Sequence, residues 1–332
     1  MKILVLLDVA RRSDTQGEIS AESLKQENRL GDSDVLACLE RLGHNVETLA
    51  VYDNVTELVA KLTACHPDLV FNLSESFHHN RSHEPNIPAL LELMKVPYTG
   101  SGPDALMLCK DKALAKKVLS YHHVRLPHFV VSHRLSPLRR LRRFTYPAFV
   151  KPLCEESSDG ISRASFARDE HEAIERARFV HQRFNTDALI EEYIEGRELY
   201  VSVLGNRRLT VFPPREIFFE HVPEDVPKFA TFHAKWNESY RRKWGITNGP
   251  AKEIPAEVQK DLRKLARNVH RWLKIRGFGR LDVRLTANGE LYVIEANPNP
   301  SLAQEEDFAQ SAAAAGLNYD LLIQEILNTA FP

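Results

Sequence analysis

The residues best suited to chemistry lie in one short stretch, 279–297. Asn288-Gly289 interrupts two alternating apolar runs, and that pair is the strongest short-range signal for a two-residue hairpin loop. Such a loop fixes the register, so Asp282 faces Glu295 and Arg280 faces Asn297, with all four side chains on one side of the ribbon. The opposite side then holds Leu281, Val283, Leu285, Tyr292, Ile294 and Ala296, which reads as core. Two carboxylates placed directly opposite one another repel unless something positive lies between them. Oxygen donors at Asp282, Glu295 and Asn297, with no histidine or cysteine beside them, suit Mg²⁺ or Mn²⁺ better than zinc. The competing reading is a surface hairpin whose acids are solvated or paired with Arg280 and Arg284.

Other chemistry-bearing residues are less specific. Lys151 ends the apolar run 148–151 and is followed at once by Glu155-Glu156-Ser157-Ser158-Asp159-Gly160, a place where an ammonium and loop amides can share a phosphate. The loop is not a Walker A motif, because no Gly-Lys pair follows it. Lys112 and Lys235 have no such context and read alone as surface lysines. His78, His79 and His83 follow the third apolar run at a spacing that matches no standard metal pattern, so a polar loop at the carboxyl end of a sheet is expected there. Neither a GxSxG elbow nor an HExxH helix is present, which weakens hydrolase readings.

The elements that must carry these residues begin as strand, helix, strand, helix, strand: 3–7, 35–42, 46–51, 55–62 and 69–73. That order implies a parallel sheet with helices on both faces. A helix over 87–94 ends before Pro97, and the turn-rich 99–103 marks a domain boundary. Beyond it the sequence predicts one helix over 104–120, strands at 127–131 and 148–151, a charged helix over 170–184 and a strand over 188–193. A long helix follows, in which Val258, Leu262, Leu265, Val269 and Trp272 recur at helical spacing. Five arginines within 134–143 read as a solvated surface segment. Three domains are expected, over 1–103, 104–187 and 188–332.

Composition bounds the classes. The chain has 332 residues, 43% hydrophobic and 27% charged, with Lys plus Arg at 44 against 45 for Asp plus Glu. That balance gives no global reason to bind nucleic acid or an anionic membrane. Four scattered cysteines read as reduced thiols, and no run reaches the length of a signal core or a membrane span, so a cytoplasmic protein is expected.

Several of these segments together resemble the ATP-grasp carboxylate–amine ligases, most closely the D-alanine–D-alanine ligase family. The matching stretches are Leu90-Leu91-Glu92-Leu93-Met94-Lys95-Val96-Pro97-Tyr98-Thr99-Gly100-Ser101-Gly102 with Asp111-Lys112, then Val150-Lys151-Pro152 with Ser157-Ser158-Asp159-Gly160, then Leu189-Ile190-Glu191-Glu192-Tyr193-Ile194-Glu195-Gly196-Arg197-Glu198. Ala234-Lys235-Trp236 and the 279–283 and 295–298 segments complete the order. The resemblance implies an ATP-grasp α/β fold: an N-terminal parallel domain and two α+β subdomains with ATP between them. It implies that Lys112, Lys151 and Lys235 contact phosphates, that Glu191, Glu192, Tyr193 and Ile194 form the adenine edge, and that Glu198 holds the ribose. It also implies Asp282, Glu295 and Asn297 as Mg²⁺ (or Mn²⁺) ligands, Ser158 at the nucleotide, and Arg280, Lys235 and Ser157 as catalytic groups. Arg280 would meet the oxyanion of a tetrahedral intermediate, and the 155–160 loop would cover the phosphates. In such ligases a carboxylate takes the γ-phosphoryl group and an amine displaces phosphate from the acyl phosphate. The resemblance further implies a homodimer acting on a small-molecule carboxylate and amine.

The chain also departs from that family. Asp8 to Asp14 lacks the Gly-Gly-x-Ser-x-Glu pattern, a histidine-bearing insert follows the third strand, and Trp236 stands where tyrosine is common. After Asn297 the text runs to Glu305-Glu306-Asp307, three acids that would favour a cationic acceptor amine or, alternatively, cap the next helix. The expected activity is therefore a peptide- or amide-forming ligase of altered acceptor. The alternatives are authentic D-alanine–D-alanine ligation, a non-catalytic nucleotide-binding protein, and a kinase that stops at phosphoryl transfer.

Overall fold

The computed structural model describes residues 1–12, 14, 19–155, 158–223 and 226–331. Strands β1 (Lys2–Asp8), β2 (Asn45–Val51) and β3 (Leu69–Asn72) pair in parallel in the order β2-β1-β3, as the alternating pattern predicts. Central β1 is buried on both faces. Ile3, Val5 and Leu7 pack with Val35, Leu36 and Leu39 of helix Leu30–Arg41, while Leu4 and Leu6 meet Leu58 and Leu62 of helix Val55–Cys65. The first of these faces is completed from the far end of the chain, by Phe308, Leu322, Ile323 and Ile326.

The next layer is an antiparallel sheet of β4 (Phe129–Ser132), β5 (Ala148–Pro152), β6 (Phe166–Ala167) and β7 (Ala188–Glu192), in the order β4-β7-β5-β6. Helix Glu170–Phe184 packs on it, capped by the Asp169 carboxylate on the Glu172 amide and closed by Asn185 in the left-handed region. The third sheet comprises β8 (Arg197–Leu204), β9 (Thr210–Val211), β10 (Arg215–Phe219), β11 (Ile246–Pro250), β12 (Phe278–Leu285) and β13 (Leu291–Pro298). Its order is β11-β10-β8-β12-β13, with β9 on β8. Helix Ala256–Trp272 seats Leu262, Ala266 and Val269 against Val203, Leu281 and Val283.

The single helix expected over 104–120 is two helices, Pro103–Lys110 and Lys112–Tyr121. Asp111 is the break: its backbone is extended and its carboxylate accepts from the Leu114 amide at 2.9 Å, which ends one helix and caps the next. Lys112 thereby becomes the first residue of the second helix. The arginines of 134–143 are all exposed, as expected. Cys38, Cys65, Cys109 and Cys154 are free thiols. Among the described residues, no helix is long and apolar enough to cross a membrane.

One core residue carries a pH prediction. His270 is 2% exposed, neither ring nitrogen has a hydrogen-bond partner, and burial pulls its pKa from 6.5 to about 4. The fold therefore favours neutral histidine, and this stability is complete above pH 6.5 and lost as pH falls through 4. Between pH 7 and pH 5 the unfolded chain gains the proton first, which costs about 2 kcal/mol of stability. Urea unfolding of the wild type and His270→Leu at both pH values is expected to show the smaller loss in the variant; equal losses would remove His270 as a cause.

Candidate active site

The three sheets face one cleft of about 1350 Å³, with a smaller slot opening from it between β7, β8 and β13. The carboxyl ends of β1 and β3 supply its rim through Asp8, Ser74, Glu75 and Ser76, as is usual for an open parallel sheet. The β12–β13 ribbon supplies its floor.

Arg280 pairs with Asn297 and Asp282 with Glu295, the register expected for these four residues. It arises differently from the sequence reading. The turn is a three-residue loop, Ala287-Asn288-Gly289, closed by the Thr286 amide on the Glu290 carbonyl at 3.0 Å, with Gly289 at φ +80. That extra residue shifts the pairing by one, so Leu285 faces Leu291 and Val283 faces Val293. A bulge at Ile294 on β13, opposite the Asp282–Val283 step of β12, then shifts it back, leaving Ile294 and Glu295 opposite Asp282. The core face accordingly contains Leu291 and Val293, while Tyr292 and Ile294 are half-buried and Ile294 lines the slot.

The opposed carboxylates are compensated by the chain's own cations. Arg280 grips Asp282 through both nitrogens, Nε to Oδ1 at 2.7 Å and Nη2 to Oδ2 at 3.0 Å, and Asn297 Nδ2 donates to Oδ2 at 3.1 Å. Lys112 Nζ lies 3.1 Å from Glu295 Oε1. Burial alone would raise the Glu295 carboxyl, but Lys112, Lys151 and Lys235 outweigh it and hold it at about 2. Burial dominates at Asp282 and moves that carboxyl up, against the pull of Arg280. The donor set is two carboxylates and an amide, all oxygen, which fits a hard divalent cation.

The slot is walled by Phe149, Tyr193, Ile194, Phe229, Ala230 and Ile294, with Phe149 and Phe229 edge to face at 4.9 Å. Its polar lining includes Lys151, Ser158, Glu191, Glu192 and Glu198. An apolar space with a few polar groups at its edge is the usual make-up of a small-molecule pocket. Lys151 and Glu191 form a buried ion pair at 2.8 Å. Glu198 accepts from Arg284 and from the Tyr200 hydroxyl, each at 2.9 Å. Gly196 makes the turn between β7 and β8 possible: at φ +148, a Cβ there would lie 2.3 Å from the Leu285 carbonyl oxygen.

Lys235 and Ser158 reach both spaces. Ser157 lies outside the described residues. The 155–160 loop is held at its two ends, where Lys112 donates to the Glu155 carbonyl and Arg176 to the Gly160 carbonyl. The structure thus brings together Lys112, Lys151, Ser158, Glu191, Glu192, Tyr193, Ile194, Glu198, Lys235, Arg280, Asp282, Glu295 and Asn297. Sequence reasoning missed Arg284 as the partner of Glu198, although it stands two residues beyond Asp282 on the same strand face. It also missed Lys116, one helical turn beyond Lys112.

His78 and His79 pack against the Tyr52 ring, with ring centroids 5.7 and 5.2 Å away. Of the three acids after Asn297, Asp307 is buried and paired with Arg215 at 2.7 Å, so only Glu305 and Glu306 present exposed charge to the cleft.

Comparison with known proteins bears on this arrangement. The family described as D-ala D-ala ligase C-terminus matches residues 112–328. The chain belongs to the D-alanine–D-alanine ligase family. It is an ATP-grasp ligase, of the ATP-dependent class that forms C–N bonds. It is 31% identical over 315 residues to uncharacterized protein y4sG of Sinorhizobium fredii, covering 92% of this chain and 88% of that one. It is also 31% identical to a D-alanine–D-alanine ligase of Rhizorhabdus wittichii, covering 89% of each chain. The crystal structure of a D-alanine–D-alanine ligase from Bacillus anthracis complexed with ATP has the same fold, with a TM-score of 0.76 at 22% identity over 99% of this chain and 97% of that one.

Proposed function

We propose that this ligase joins a small carboxylic acid to an amine through an acyl phosphate, with ATP in the slot and an acceptor other than D-alanine. The observation that carries the reading is the convergence of Arg280, Asp282, Glu295 and Asn297 with Lys112, Lys151 and Lys235 on one cleft. A nucleotide-binding module has no use for the arginine at that point.

In this reading Glu191, Glu192, Tyr193 and Ile194 border the adenine and Glu198 the ribose. Lys112, Lys151 and Lys235 face the phosphates, where fixed ammonium groups stabilise charge without reorganising. Asp282, Glu295 and Asn297 would hold Mg²⁺ or Mn²⁺, which supplies charge neutralisation and alignment of the phosphates. Arg280 faces the acyl oxygen as negative charge develops there. Ser157, Ser158 and their loop would close over the phosphates and exclude water, since an acyl phosphate hydrolyses. The working form is taken to be a cytoplasmic homodimer, a reading supported by the family resemblance.

Altered specificity is supported by departures at both substrate ends. Asp8 accepts from the Glu75 amide at 3.0 Å and from the Ser76 hydroxyl at 2.5 Å, where the family's Gly-Gly-x-Ser-x-Glu pattern would hold the first D-alanine. Glu305 and Glu306 would repel a second carboxylate and attract a cationic amine. The test is ADP release from Mg-ATP with D- and L-amino acids, singly and in pairs, and with polyamines. Release that needs an acid and an amine other than two D-alanines is expected. Release that needs only D-alanine would make this an authentic D-alanine–D-alanine ligase, and ATP binding without release on any acceptor would favour a non-catalytic role.

A further inference from the structure

We propose that Lys116, which lies behind the nucleotide slot and lines neither cavity, is a positioning residue: it neutralises Glu191 so that Lys151 keeps its positive charge for the phosphates. This rests on the reading of the slot as the nucleotide site.

The geometry is specific. Lys116 is 2% exposed, and its Nζ stands 3.2 Å from Glu191 Oε2 and 3.0 Å from the Ile294 carbonyl oxygen. The other oxygen of Glu191, Oε1, lies 2.8 Å from Lys151 Nζ. A buried lysine is costly unless an anion and further acceptors satisfy it, and Lys116 has one of each. Its position follows from the helix Lys112–Tyr121, on which Lys112 and Lys116 are one turn apart and share a face. Lys112 reaches the Glu295 side chain, and Lys116 reaches the carbonyl of the residue before it, the one left without a register partner by the bulge.

Charge pairing says why the second lysine matters. Alone with Lys151, Glu191 would form a closed pair and cancel the ammonium at the slot. With Lys116 on its second oxygen, the trio carries a net positive charge, and Lys151 is the only member of the two lysines that lines the cavities. Lys112 and Arg280 each face a carboxylate of their own, Glu295 and Asp282. The surplus positive charge of the trio is what Lys116 preserves for a polyanionic ligand, beside Lys235 on the same cleft. Two ammonium groups also outweigh burial and keep the Glu191 carboxyl below its usual range, so the carboxylate stays ionised.

A purely structural lysine would brace the Ile294 carbonyl and nothing more, and a double variant separates the two roles. Lys116→Met removes both the brace and the charge. Adding Glu191→Gln removes the carboxylate that the charge served, while the brace stays lost. Affinity for ADP and for adenosine, measured by calorimetry without the acid or the amine, is the readout, with thermal unfolding alongside. Lys116→Met is expected to weaken ADP about tenfold, and adenosine by no more than about twofold. Adding Glu191→Gln is expected to bring the ratio of ADP affinity to adenosine affinity back to within about threefold of the wild-type ratio, a ratio that divides out any contact Glu191 itself makes with the adenine. The single variant keeps the buried Glu191–Lys151 pair, whereas the double variant leaves Lys151 only an amide oxygen at position 191, so if thermal unfolding shows the double variant unfolded, the ADP and adenosine affinities of the single variant carry the test. A double variant whose ADP-to-adenosine affinity ratio stays about tenfold or more below that of the wild type, or an equal loss for adenosine and ADP in the single variant, would overturn the proposal. A wild-type protein that binds neither ligand would instead overturn the nucleotide reading of the slot.

Discussion

Glu295→Gln is expected to lower turnover by about a thousandfold while changing the fold little. The substitution keeps the shape and one carbonyl oxygen but removes a charge that is held ionised at any working pH, since Lys112, Lys151 and Lys235 keep the carboxyl at about 2. The oxygen set offered by Asp282, Glu295 and Asn297 would then hold one carboxylate instead of two. Lys112 would also face an amide, but it keeps the Glu155 carbonyl as an acceptor. The stability cost is correspondingly modest, about 1–2 kcal/mol, because the Glu295 side chain is already 20% exposed. Steady-state ADP release at saturating ATP and increasing Mg²⁺, with thermal unfolding on the same preparations, measures both quantities. Full turnover in the variant would remove Glu295 from the site. A large fall in unfolding temperature would make the loss of activity a folding effect.

How much of this was readable beforehand depends on the length scale of the interaction. The parallel sheet was legible because β1 is buried on both faces and its neighbours alternate with helices of ordinary length. The opposition of Asp282 and Glu295 was legible too, but through two compensating irregularities. A loop one residue longer than expected is cancelled by a bulge that follows the pairs Leu285–Leu291, Arg284–Tyr292 and Val283–Val293, and period-two arithmetic detects neither. The bulge is also what turns Ile294 towards the slot next to Glu295, which strict alternation assigned to the core. Pairings between distant segments were not legible at all. Nothing in the local pattern says that Arg215 neutralises Asp307, or that Arg284 holds Glu198, because the first pair joins β10 to the helix Asp307–Ala314 and the second is made by the register of β12 on β8, not by sequence spacing. The sheet that hosts the N-terminal core is likewise sealed by Phe308 and the helix Tyr319–Thr329, from the other end of the chain. The roles of the assembled residues came from resemblance to a family, since lysines in isolation look like surface lysines.

Arg280→Ala is expected to lower kcat by about a hundred- to a thousandfold and to leave the KM for ATP within about threefold of the wild type. The split follows from position. Arg280 lines the large cleft but not the adenine slot, so the nucleotide loses few ground-state contacts. Its partner in the reaction is charge on the acyl oxygen, which exists only on the way to the tetrahedral intermediate, and such an interaction acts on kcat. The guanidinium is already fixed for that task. It grips Asp282 with two hydrogen bonds and stands 5.0 Å over the Tyr200 ring, so it needs no reorganisation when charge appears. The same grip creates a second route to inactivity, because alanine would leave Asp282 buried with fewer donors. Arg280→Lys separates the two. Lysine restores positive charge at Asp282 without the planar fork, so a defect that works through Asp282 alone should be largely rescued, whereas an oxyanion role should leave kcat at least about tenfold down. Full rescue by lysine, or a loss of ATP affinity in step with kcat in the alanine variant, would take the oxyanion role away from Arg280.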